Sequence, residues 1–113
     1  MAPTCCSPAN GAFFAAQDAD ERYYTAKDRS KLRPPGRDEK ILTDWNGLMI
    51  AALAKGSVAF DEPRYARAAA RAADFLLASM RTPEGRLLHR FRGGDAAILG
   101  NLDDHAFLVW GLI

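Results

Sequence analysis

The sequence predicts a mainly α-helical chain: a truncated part of an α/α toroid or superhelix that carries a small β-hairpin. Three features predict it. A helix starting at Thr43 is apolar on every side, residues 64–80 form an amphipathic helix joined to it by a short connection, and the chain closes on a second apolar helical run. A helix that is apolar all round must be enclosed by others, because apolar surface left in water costs about 25 cal/mol per Å². Pairing it with an amphipathic neighbour gives an α–α hairpin, the first helix lining an interior and the second forming the rim.

Composition narrows the partners. With 113 residues there is room for one small domain or part of a larger one. The residues are 49% hydrophobic and 26% charged, with 15 Lys and Arg against 14 Asp and Glu, a formal charge of +1. That balance gives no net pull on nucleic acid or anionic lipid, so neither nucleic acid nor membrane is expected as a partner. Lys40 and Asp44 precede the longest apolar stretch, Trp45 to Ala54, and Lys55 ends it, too short a run to cross a bilayer. The two cysteines, Cys5 and Cys6, are adjacent, match no zinc or redox spacing and read as free thiols. Without a charged leader, the expected compartment is the cytoplasm.

Residues 1–30 read as an irregular N-terminal segment and 31–113 as the partial toroid domain. Residues 1–12 hold turn-formers and few large apolar groups, the reading of a loose tail. In 11–24 the apolar pair Phe13 and Phe14 meets an acidic cluster, and the periodicity selects neither helix nor strand. Pro34-Pro35-Gly36 marks a connector, since proline blocks a continuous helix. Thr43 or Asp44 is the expected cap of the apolar helix, which carries Leu48, Met49, Ile50 and Leu53. Pro63 falls near the first turn of the amphipathic helix, whose inner stripe is Tyr65, Ala69, Ala72, Phe75, Leu76 and Met80. Residues 86–92 alternate as a short strand, Gly93-Gly94-Asp95 turn it, and Asn101 or Asp103 caps a third helix. That last helix lacks an outer partner, which predicts either a piece of a longer repeat or self-association through exposed apolar helices.

Three blocks carry a resemblance. Residues 33–50 (RPPGRDEKILTDWNGLMI), 85–92 (GRLLHRFR) and 100–108 (GNLDDHAFL) resemble, in order, segments of the YyaL-type, spermatogenesis-associated thioredoxin-domain family. Residues 11–20 (GAFFAAQDAD) resemble a further family stretch that normally lies well upstream. The resemblance implies a thioredoxin-like domain joined to an (α/α)6 toroid similar to six-hairpin glycosidases and N-acylglucosamine epimerases. Since 113 residues hold neither in full, it implies a fragment carrying part of a carbohydrate-related toroid and inactive alone.

In that picture the loops around Asp38, Lys40, Trp45 and Asn46 and around Asp103, Asp104 and His105 converge at the toroid mouth. Asp38, Asp104 and His105 are then the candidate catalytic residues, and Lys40, Trp45, Asn46 and Asp103 the candidate substrate-binding residues. A tryptophan face stacks on a sugar ring, and amide and carboxylate groups bind its hydroxyls. Each has a plainer reading: an Asp38–Lys40 ion pair, a core Trp45 and a cap at Asn46. Glycoside hydrolysis needs two carboxyls about 5 to 5.5 Å or about 6.5 to 9.5 Å apart, which adjacency of Asp103 and Asp104 does not supply. Proton transfer at a sugar carbon suits histidine, and His89 and His105 are the two present. His89 reads as a rim residue of the hairpin. No cofactor or metal is expected, as no ligand spacing stands out. The alternative to a carbohydrate-related fragment is a non-catalytic helical module that dimerises or docks on a partner.

Overall fold

The computed structural model describes residues 6–113. In chain order the elements are β1 (Ala16–Gln17), α1 (Glu21–Thr25), β2 (Arg37–Asp38), β3 (Ile41–Leu42), α2 (Thr43–Ala59), α3 (Pro63–Ser79), β4 (Leu88–Arg92), β5 (Asp95–Leu99) and α4 (Leu102–Leu112). Strands β1 and β2 form one small antiparallel sheet, and β3, β4 and β5 another. In the larger sheet Ile41 faces Phe91 and Leu42 faces Arg90, while Leu88 faces Leu99.

Local chemistry explains most boundaries. Helix α3 begins at Pro63, whose missing N–H is harmless in a first turn, and the Glu62 carboxylate accepts from Arg64 N at 3.1 Å. The β4–β5 hairpin turns on Gly93 and Gly94, with φ of 57° and 82°. Two consecutive left-handed residues match the twist of the strands, and glycine reaches that region without a Cβ penalty. At α2 the expected cap is absent. Thr43 is the first helical residue, and its hydroxyl donates across to Leu88 O at 2.6 Å instead of to its own helix.

The expected partial (α/α)6 toroid is overturned. The described residues form four helices and two small antiparallel sheets, about 46% helix and 19% strand. The α2–α3 hairpin forms as the periodicity predicts, but α4 packs directly on α2 instead of starting a second rim layer. The reason is a backbone-close crossing at two glycines. A Cβ on Gly47 would lie 2.5 Å from Phe107 C, and one on Gly111 would lie 2.7 Å from Gly47 O. Helix α2 is covered by α3 and α4 and bare elsewhere: Trp45 is 52% and Val58 85% exposed. Its apolar circumference is not the sign of a helix enclosed within this chain.

The core is narrow and rich in alanine. Ile41, Ile50, Ala69, Ala72, Leu76, Met80, Leu87 and Leu108 are buried together. Phe75 of α3 meets Phe91 of β4 edge to face at 5.0 Å, joining helix to sheet.

The N-terminal segment is not a loose tail where it is described. Ala12 is fully buried, Phe13 and Phe14 pack against the core, and Ser7 N donates to Ala12 O. Ala15 N donates to Lys40 O, and β1 lies along β2, so the segment folds back over the start of α2. Cys5 falls outside the described residues; Cys6 is a free thiol. Among the described residues, no helix is long and apolar enough to cross a membrane.

Candidate functional site

Asp104 is the centre of the polar groups brought together by the fold. It is the third residue of α4 and fully buried. Its Oδ2 accepts from Asn101 N at 2.7 Å, and its Oδ1 accepts from Asp44 N, in the first turn of α2, at 3.0 Å. Both N–H groups are orphan donors of helix N-termini, so one carboxylate satisfies two helices where their dipoles favour negative charge.

The third partner is His89 of β4. Its Nδ1 lies 2.9 Å from Oδ1 and 3.0 Å from Oδ2 of Asp104. Since both oxygens already accept backbone N–H bonds, the shared hydrogen sits on Nδ1, which leaves Nε2 as the ring nitrogen open to another partner. The His89 side chain is 22% exposed. Thr43, donating to the carbonyl of Leu88, fixes β4 one residue before this histidine. A buried carboxylate that holds one ring nitrogen sets both tautomer and orientation of the other.

Asp44 completes the group. Asp44, His89 and Asp104 each offer one potential ligand atom, all within 4.8 Å of one another. A histidine and two carboxylates can ligate a divalent cation. Here a cation would compete with the three donors already bound to Asp104. The expectation of no metal rested on sequence spacing, which could not reveal three residues drawn from α2, β4 and α4.

The other sequence-predicted residues divide plainly. Asp38 and Lys40 sit beside the β2–β3 turn and pair with each other at 3.4 Å. The Lys40 backbone N–H, donating at 3.2 Å, is the main cause holding the Asp38 carboxyl below its ordinary pKa. Neither belongs to the Asp44–His89–Asp104 group. Asn46 is 1% exposed: its Nδ2 donates to Phe13 O and Leu42 O, and its Oδ1 accepts from Phe13 N at 2.7 Å. With its whole amide spent on backbone, Asn46 anchors the N-terminal segment and has nothing left to offer a sugar. Trp45 follows Asp44, and its half-exposed ring remains available for stacking. Asp103 is exposed in the first turn of α4. His105 is exposed as well, with Nδ1 against Asn101 O at 2.8 Å, and it lines a cavity to which His89 does not contribute.

Sequence reasoning missed Asp44, read only as a helix cap, and above all His89. Its local setting, an alternating strand in a hairpin, is that of an ordinary rim residue. The available signal was that His89 and Asp104 fall in two consecutive blocks of the family resemblance.

No family model matches the chain, and no curated protein is significantly similar to it.

Proposed function

We propose that this chain is a piece of a YyaL-type protein and carries the acid–base corner of a carbohydrate-related site. His89 takes or gives a proton at Nε2, Asp104 holds the ring, Asp44 places a second carboxylate beside it, and Trp45 offers a stacking face. The observation that supports this reading best is the His89 imidazole held through Nδ1 by a fully buried carboxylate.

Between the two sugar chemistries, proton transfer at carbon fits better than glycoside hydrolysis. Asp104 is fully buried, and both of its oxygens already accept hydrogen bonds. Both glycosidase carboxyls must reach the scissile bond, which a buried carboxylate already holding its donors does not do. Inverting a carbon centre needs an acid on the face opposite the base, and His105 is not part of this group. The chain alone thus supplies half of the machinery and is inactive by itself. Residence in the cytoplasm belongs to the same reading, supported by two cysteines that are adjacent in sequence.

The test is titration of the full chain with N-acetylglucosamine and N-acetylmannosamine in D2O, followed by NMR. Saturable binding that Trp45→Ala abolishes, without interconversion of the two sugars, is the expected result. Absence of binding, or any interconversion of the two sugars by this chain alone, defeats the proposal.

A second reading, a helical module that docks on a partner, draws on the exposed Val58, Val109 and Trp110 of α2 and α4. Light scattering over a range of concentrations distinguishes it: a mass that doubles with concentration favours the module.

A further inference from the structure

On the far side of α4 from the α2 crossing lies a cavity of about 580 Å³, within the usual range for small-molecule sites. Its apolar wall comes from three elements: Leu77 of α3, Leu99 of β5, and Leu108 and Leu112 of α4. Leu87, at the entry to β4, is buried beneath it. No aspartate or glutamate lines this cavity, whereas Arg81, Arg86 and His105 all do.

The three basic groups are only partly engaged. Arg81 Nε donates to Leu77 O at 2.7 Å, which fixes the stem and leaves the terminal guanidinium nitrogens as donors. Arg86 makes no ion pair among the described residues. His105 is held by Asn101 O at Nδ1, and its ring rests on Gly100, where a Cβ would come within 3.2 Å of Cε1. Nδ1 therefore donates to that carbonyl, and Nε2 remains for a ligand. Glu84, next to Gly85, and Asp103, two residues before His105, are exposed and outside the lining.

An apolar wall with a one-signed rim selects its ligand by charge as well as by shape. The geometry points to a binding site for a small organic monoanion, an alkyl or aryl body bearing one carboxylate. The body lies on Leu77, Leu99 and Leu108, and the carboxylate meets the Arg81 and Arg86 guanidinium groups, with His105 at its side. Arginine suits this role because its planar fork matches carboxylate geometry. The site shares no side chain with the His89–Asp104 group, so it stands or falls independently of the proposed sugar chemistry.

The test uses the full chain and two probes of equal size, 4-phenylbutyrate and 4-phenylbutan-1-ol, followed by amide NMR shifts. The expected result is saturable shifts centred on Leu87, Gly100, His105 and Leu108 with the carboxylate, and affinity for the alcohol weaker by about tenfold, the scale of one charge-assisted hydrogen bond. Arg86→Gln, a change at an exposed position, weakens the carboxylate by about three- to tenfold and leaves the alcohol unchanged. Equal affinity for the two probes, an Arg86→Gln variant that binds both as before, or shifts that never saturate overturns the proposal. A dimer whose interface covers Leu108 and Leu112 overturns it too, since self-contact then explains the apolar wall.

Discussion

The two ends of helix α2 are built on opposite principles. At its N-terminal end nearly every group is spent on another part of the chain. Thr43 bonds β4, Asp44 N bonds α4, Asn46 clamps Phe13, and Gly47 admits the α4 backbone. Toward its C-terminal end Val58 is 85% exposed, and Phe60 just beyond is 75% exposed. Lys55 there reaches over the Trp110 ring at 4.8 Å, a surface contact worth about 1 kcal/mol or less. One helix thus joins a polar, fully satisfied junction to an apolar, uncovered surface. The lesson is that polar residues specify this fold where they are buried, while part of its hydrophobicity faces outward.

The largest test of that contrast is Gly47→Val. Its new side chain would meet α4 backbone at 2.5 to 2.6 Å, so α4 must lift away. A loss of more than about 3 kcal/mol is expected in urea unfolding followed by circular dichroism. If Gly47→Val is tolerated, the glycine crossing does not hold the two helices.

Next in size is Asp104→Ala, which orphans two helix N-terminal N–H groups and releases His89. Leaving those two buried N–H groups without an acceptor costs about 1 to 3 kcal/mol each. The 15N shifts of the His89 ring should change from a single tautomer to a mixture; an unchanged ring would show that Asp104 does not set it.

Asn46→Ala probes the clamp. Leaving Phe13 N and two carbonyls unpaired is expected to cost about 1 to 3 kcal/mol. Hydrogen exchange at the Phe13 amide should rise by the same free energy, whereas the amides of α3 should follow global stability alone.

A smaller effect concerns acid. The Arg64 side-chain hydrogen bond, followed by its backbone N–H, lowers the Glu62 carboxyl from 4.5 to about 2. A depressed carboxylate stabilises the fold above its unfolded value, and that contribution fades as pH falls from about 4.5 to about 2. Glu62→Gln should therefore flatten the acid limb of the stability curve in that window and leave its shape above pH 5 intact.

The smallest change is expected from Val58→Lys, within about 0.5 kcal/mol, because an exposed side chain gives up little on replacement. A large loss there would show that the uncovered end is covered in solution, by a copy or a partner.

The sequence by itself determined the local elements. Pro63 after Glu62, the stripe through Ala69, Ala72 and Leu76, the Gly93-Gly94 turn and Asn101 ahead of α4 are short-range signals, and each element lies where they place it. For Trp45 and the Asp38–Lys40 pair the sequence offered two readings each, and the structure selects an exposed ring for the first and an ion pair for the second. Only the tertiary structure decided the rest. That α4 crosses α2 through Gly47 and Gly111, that Asn46 serves Phe13, and that His89 meets Asp104 and Asp44 are contacts between residues far apart along the chain. Periodicity reports which face of an element is apolar; it carries no information on which distant element covers that face or which buried donor a carboxylate will meet. The toroid was inferred from such a face, and close backbone packing at two glycines gave the chain another way to cover part of it.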